Sequence, residues 1–252
     1  MSKIAFITGA SSGIGAACAR NFAQGGYTVL LNARSTDKLE ALKTELETTY
    51  GTDVLLLPFD VRDRKAAAEA ITTLPERYQA IDVLVNNAGL ALGMDKEYAG
   101  VEADYDTMID TNITALLMIT RLVVPGMIAR GRGHIINIGS VAGDAAYPGG
   151  SVYCATKAAV KVLSDGLRMD LVDTPLRVTN VKPGLVETNF SVTRFGGDKE
   201  RADKVYQGIK PLTGDDIADV VYYAASAPEH VQIAEVLVLA THQASGSLVY
   251  RH

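Results

Sequence analysis

Lys3-Ile4-Ala5-Phe6-Ile7-Thr8-Gly9-Ala10-Ser11-Ser12-Gly13-Ile14-Gly15 decides the fold. Residues 4–7 are an unbroken apolar run without alternation, the pattern of a strand covered on both faces. Thr8-Gly9 ends the run, and Gly13-Ile14-Gly15 opens directly into a helical segment. Glycine there allows a tight turn and close approach of a pyrophosphate, while free amides at a helix N-terminus attract negative charge. The spacing G-x-x-x-G-x-G differs from G-x-G-x-x-G and also suits a plain strand-to-helix turn. Its place after the first strand favours a dinucleotide, with Gly9, Ser11, Ser12, Gly13, Ile14 and Gly15 as candidate contacts.

The same strand-then-helix unit repeats outward from this turn. Short aliphatic runs at 3–8, 28–33, 53–58, 81–86, 134–139, 177–182 and 235–240 alternate with helix-period segments at 13–24, 37–49, 64–74, 105–130 and 151–172. A last helix starts at Thr213, whose capping box would be closed by Asp216. Seven strands separated by helices predict an α/β fold, a Rossmann-type, doubly wound parallel sheet with helices on both faces. No linker, charge block or repeat divides the chain, so one domain is expected over 1–252. Residues 185–208 have weak periodicity and read as a lid.

The formal net charge is -5 and 48% of residues are apolar. Without a basic stripe, nucleic-acid and anionic-membrane partners are disfavoured and a small-molecule substrate is favoured. The two cysteines, Cys18 and Cys154, and the four histidines lack metal-ligand spacing, so no metal site is expected. The first apolar run lacks a signal-peptide cleavage region, and the run at 113–127 is interrupted by Arg121 and Pro125 and is too short to span a bilayer. A cytoplasmic protein is expected.

Ligands of open α/β sheets bind beyond the C-terminal strand ends, so the residues there are the site candidates. After the second strand, Asn32-Ala33-Arg34 offers no acid for ribose hydroxyls; a guanidinium there suits a 2′-phosphate or simply solvates a helix entrance. Asp60-Val61 and Asn87-Ala88-Gly89 follow strands three and four, as cofactor contacts or ordinary turns. Ser140 ends strand five and could hold a substrate oxygen or cap a turn. Asn112 sits mid-helix, where asparagine is a poor helix former unless it has a hydrogen-bonding task. Tyr153 and Lys157 are four apart on one helix face. A phenol of pKa about 10 needs help to exchange protons at neutral pH, and an ammonium nearby supplies it.

Taken in order, Thr8-Gly9-x-x-x-Gly13-x-Gly15, Asn86-Asn87-Ala88-Gly89, Asn112, Ser140, Tyr153-x-x-x-Lys157 and Pro183-Gly184 resemble the short-chain dehydrogenase/reductase superfamily. The resemblance implies Tyr153 as acid/base, Ser140 positioning the carbonyl oxygen, and Lys157 lowering the tyrosine pKa and holding the nicotinamide ribose. It places Asn112 in a water-mediated proton relay, and adds Pro183, Gly184, Val186 and Thr188 as cofactor contacts and a homotetramer as the assembly. The segments 86–94, 108–112, 183–188 and 194–198 are similar to the NADP-dependent 3-hydroxy acid dehydrogenase branch, which implies NADP and substrates such as L-serine, L-allo-threonine or 3-hydroxyisobutyrate. Ser140, Tyr147 and Arg194 are then the substrate candidates, with Arg194 either pairing with a substrate carboxylate or with a surface acid. Alternatives are a 3-oxoacyl-thioester or pteridine carbonyl reductase, and a dinucleotide-sensing regulator without chemistry.

Overall fold

The computed structural model describes residues 2–252. Its strands are β1 (Ile4–Thr8), β2 (Thr28–Asn32), β3 (Val54–Leu57), β4 (Ile81–Asn86), β5 (His134–Ile138), β6 (Arg177–Pro183) and β7 (Glu235–Val238). All six pairings are parallel, in the order β3-β2-β1-β4-β5-β6-β7, and each expected run supplies one strand. The chain order reverses between β1 and β4, which opens a crevice at their C-terminal ends.

Alternate side chains of one strand feed opposite cores, which explains the uninterrupted apolar runs. Ala5 and Ile7 of β1 face a cluster with Phe22, Leu39 and Val221, whereas Ile4 and Phe6 face one with Ile71, Ile119 and Met127. Each large apolar side chain buried this way contributes roughly 1.5–3 kcal/mol. The first face is covered by α1 (Gly13–Gln24), α2 (Thr36–Tyr50) and α9 (Gly214–Ser226). The second is covered by α3 (Arg64–Thr72) and by a long helix built of α4 (Glu102–Ile109), a π-turn (Asp110–Thr114) and α5 (Ala115–Arg130).

That long helix corrects one expectation. At 29 residues, 102–130, it is long and apolar enough to cross a membrane by length and composition. Counting only the run 113–127 missed this, because the helix extends beyond it at both ends and continues through Arg121 and Pro125. Here Leu116, Ile119, Val123 and Met127 are buried within the protein.

α6 (Ser151–Asp170) precedes β6. The weakly periodic segment 185–208 contains two short helices, α7 (Phe190–Arg194) and α8 (Lys199–Lys204). Its base is closed by a parallel bridge between Val186 and Leu212.

Candidate active site

The glycine turn has the shape of a cradle. Gly9 and Gly13 have φ of +66° and +54°, values that side-chain-bearing residues rarely adopt. A Cβ on Gly15 would collide with the Gly9 carbonyl and the Asn87 amide. Ser12 occupies the N-cap of α1 in extended geometry, but no side chain caps this helix, whereas Asp63 and Thr213 cap α3 and α9. The first-turn amides of α1 are therefore left for another acceptor. Thr188 packs on Gly13, and Ile14 packs against the first core.

The turn is tied to strand four. The Thr8 hydroxyl accepts from the amides of Asn87 (3.1 Å) and Ala88 (3.0 Å), and Asn87 Nδ2 donates to the carbonyls of Thr8 and Gly9. Gly89 follows on the same loop, close enough that a Cβ there would lie 3.4 Å from Lys157 Nζ. Arg34, its side chain 66% exposed, stands 3.8 Å from Asp60. Asp60 is held by Arg62 at 2.7 Å, and hydrogen bonding from Arg62 lowers its pKa despite partial burial. Sequence reasoning did not single out Arg62. An arginine two residues after an acid at a strand end was the available signal. Val61 is buried, and Gly184, just after β6, donates to Val238 O.

The residues with candidate chemistry converge at the ends of β4, β5 and β6. Ser140 leaves β5 in extended geometry and its hydroxyl accepts from Ala142 N at 3.1 Å, so the turn-cap reading of this serine holds as well. Tyr153 and Lys157 rise from the same face of α6 and are both buried. Burial pushes the Tyr153 phenol above its ordinary value, while a hydrogen bond from Ser140 and the positive charge of Arg194 pull it back. Lys157 Nζ donates to Ile138 O at 2.8 Å, and burial lowers its pKa to about 8.

Asn112 lies in the π-turn, a distortion common at functional sites. Its side chain accepts from Leu90 N (2.9 Å) and donates to Leu90 O (2.8 Å) and Thr156 Oγ1 (2.9 Å). Thr156 in turn donates to the Tyr153 carbonyl. The asparagine thus clamps the loop after β4 to the helix that carries Tyr153, which explains its tolerance in mid-helix.

Above Tyr153, Phe190 of α7 approaches with ring centroids 5.6 Å apart. Arg194 Nη1 donates to Tyr147 Oη at 2.8 Å, and its Nε donates to Gly93 O at 3.0 Å. Its guanidinium lies 5.8 Å from the Tyr153 ring centroid, and both residues line one pocket with Leu92, Met108 and Gly149. Among the described residues no carboxylate reaches Arg194 within salt-bridge distance. Among the described residues the surface-acid alternative therefore has no partner. His134 is buried away from this site, its pKa lowered to about 3 by burial and by Arg177. Among the described residues no three His, Cys, Asp or Glu side chains gather as a metal site.

A glycine cradle beside an uncapped helix, followed at the next strand ends by a buried Ser-Tyr-Lys set, matches a known family over most of the chain: residues 3–198 fit the family model described as short chain dehydrogenase. The chain belongs to the short-chain dehydrogenase family. This short-chain dehydrogenase is 46% identical over 250 residues to the NADP-dependent 3-hydroxy acid dehydrogenase of Schizosaccharomyces pombe, covering 99% of this chain and 96% of that one. It is 47% identical over 246 residues to the NADP-dependent 3-hydroxy acid dehydrogenase YdfG of Salmonella typhi, covering 97% and 98%. Among solved structures, the closed form of a serine dehydrogenase complexed with NADP+ superposes with a TM-score of 0.93 at 44% identity, covering 99% of this chain and 100% of that one. These relatives and this solved structure match nearly the whole length of the chain, beyond the residues that the family model covers.

Proposed function

We propose that this chain is an NADP-dependent oxidoreductase that oxidises short 3-hydroxy acids, or reduces the matching 3-oxo acids and semialdehydes, with Tyr153 as acid/base. The observation that carries the reading is the pocket in which buried Tyr153 is flanked by Ser140 and by an arginine that has no counter-ion among the described residues. The relatives named as NADP-dependent 3-hydroxy acid dehydrogenases, and the serine dehydrogenase with NADP+, support the same chemistry.

The fit to a dinucleotide rests on the positive-φ glycine turn, packed so closely on the Asn87-Ala88 loop that no side chain fits at Gly9 or Gly15, and on the uncapped amides of α1. Gly9, Ser11, Ser12, Gly13, Ile14 and Gly15 would hold the pyrophosphate, and Arg34 the 2′-phosphate. Asp60 and Val61 would border the adenine. Asn87, Ala88, Gly89, Pro183, Gly184, Val186 and Thr188, with Tyr153 and Lys157, would border the nicotinamide half. When bound, NADP(H) supplies the hydride acceptor or donor. Tyr153 accepts the substrate hydroxyl proton in oxidation and returns it in reduction. Ser140 donates to the substrate oxygen and favours the charge that grows there. Below a pH of about 8, Lys157 carries a buried positive charge, and lowering the tyrosine pKa is the role that the family resemblance implies for it. Asn112 holds Leu90 and Thr156 in place, a positioning role beside the relay role that the family resemblance implies. Arg194 and Tyr147 receive the substrate carboxylate, since a half-buried guanidinium lacking an acid is matched by one.

A turnover screen with NADP+ and NAD+ against L-serine, L-allo-threonine, 3-hydroxyisobutyrate and 3-hydroxybutyrate, read at the nicotinamide absorbance, tests this. NADP+-dependent turnover is expected, and Tyr153→Phe should lower kcat by about 10²–10⁴ while cofactor binding persists. Turnover only of 3-oxoacyl thioesters or pteridines, or none at all, would overturn the substrate class. Equal losses for Arg194→Ala on a hydroxy acid and on its neutral ester would remove the carboxylate role. The same reading includes a cytoplasmic location, supported by two buried free cysteines, and a homotetramer.

A further inference from the structure

The lid, residues 185–208, leaves and rejoins the body at adjacent points: Leu212 N donates to Leu185 O at 2.9 Å, and Glu187 N donates to Leu212 O at 2.8 Å. Both feet are gripped by one hairpin at residues 242–252. The hairpin folds through an antiparallel bridge between Gln243 and Val249, and Tyr250 N donates to His242 O at 2.8 Å. The rings of His242, Tyr250 and His252 pack together with centroids 4.7–5.8 Å apart, the His252 ring edgewise to the other two.

At the first foot, Gln243 is only 6% exposed, yet both ends of its amide are used. Its Oε1 accepts from Leu185 N at 2.8 Å and its Nε2 donates to Ser245 O at 2.9 Å. Gly184 is glycine because a Cβ there would overlap that same Oε1. At the second foot, Arg251 donates to the carbonyls of Gln207 and Val205, and His252 N donates to Gly208 O at 2.9 Å. Gly208 has φ +70°, so the chain reverses just where the hairpin holds it. The hairpin tip also comes near the residue that Arg194 holds, since a Cβ on Gly246 would lie 3.7 Å from the Tyr147 ring.

Between these feet the lid holds Phe190 over Tyr153 and Arg194 against Gly93 and Tyr147. The lid's own helices are five and six residues long, too short to fix its posture alone. We propose that Gln243 and Arg251 are positioning residues for the reaction: by fixing both feet of the lid they set how tightly Phe190 and Arg194 close over the substrate. The proposal rests on the reading of the pocket beneath the lid as the hydroxy-acid site.

The test compares the full chain with Arg251→Ala, an exposed change that leaves the core intact, Arg251→Lys, and Gln243→Leu. Tryptic cleavage at Arg194, Lys199, Arg201 and Lys204, located by mass spectrometry without substrate, reads lid opening directly. Losing the anchoring hydrogen bonds of one foot should speed that cleavage about fivefold and raise KM for the hydroxy acid by a similar factor. In Arg251→Ala, whose foot lies away from the cofactor contacts, the Kd for NADP+ and kcat should stay within about twofold, and Arg251→Lys should recover part of the loss. Cleavage within about twofold of the parent in both Arg251→Ala and Gln243→Leu overturns the clamp, and faster cleavage with unchanged KM overturns the positioning role. If cleavage rises but the parent turns over no hydroxy acid, the clamp stands and the substrate reading fails.

Discussion

Lys157 is the side chain whose chemistry conflicts most with folding. It is 6% exposed and has one neutral partner, the Ile138 carbonyl. Its pKa falls from 10.5 to about 8 through burial. The unfolded chain keeps the proton up to about 10.5 and the folded chain only up to about 8, so the unfolded state binds more protons between these values. Stability therefore rises with pH across that window, and the full cost of the buried charge is present below pH 8. The shift corresponds to about 3 kcal/mol. Lys157→Met removes that cost but leaves the Ile138 carbonyl unpaired, at about 1–3 kcal/mol. The variant should lose turnover yet melt about 2–6 °C higher at pH 7, with the gain shrinking as pH approaches 10.5. A lower melting temperature at pH 7 would show that Lys157 is not a net burden. Tyr153 and Lys157 could be read from their spacing, but the influence of Arg194 on Tyr153 could not. Arg194 lies 41 positions away in sequence, and only lid packing brings it there.

At the level of elements, legibility followed the strength of local signals. β1 to β7 were readable because burial on both faces demands consecutive apolar residues, as in Ile135-Ile136. α9 was readable from Thr213 and Asp216, and its box forms: Asp216 N donates to Thr213 Oγ1 at 3.3 Å and Thr213 N to Asp216 Oδ2 at 2.7 Å. The role of the next residue was not readable. A Cβ on Gly214 would lie 3.0 Å from the Gly13 backbone, so the start of α9 rests on the cofactor turn. α7 and α8 were missed because neither is long enough to show a helical period. Gln243 was missed because a glutamine in an irregular segment carries no pattern. The cap itself is testable: Thr213→Ala should lower stability by about 1 kcal/mol in urea unfolding. An unchanged urea midpoint would mean that packing of α9 on α1 alone fixes that end.

For the whole molecule, the apolar faces of α5 and α6 fit either core or interface in the sequence, and in the folded chain each helix has a buried side and an exposed one. On α6, Val160 and Ser164 turn inward, while Val162 and Met169 remain 68% and 72% exposed, seven residues apart and so on one stripe. On α5, Leu117 and Ile128 are 46% and 45% exposed, eleven apart and likewise on one stripe. Exposed apolar residues repeating along one side of each long helix suit burial by a second copy, as the proposed homotetramer requires. The net charge of -5 repels copies only weakly at physiological ionic strength. Changing Val162 and Met169 to glutamate places like charges opposite each other across such a pairing, at a cost of several kcal/mol per contact. Sedimentation should then show the parent as a tetramer and V162E/M169E as a smaller species with unchanged far-UV circular dichroism. A monomeric parent at micromolar concentration, or a variant of unchanged mass, would place the interface elsewhere or remove it.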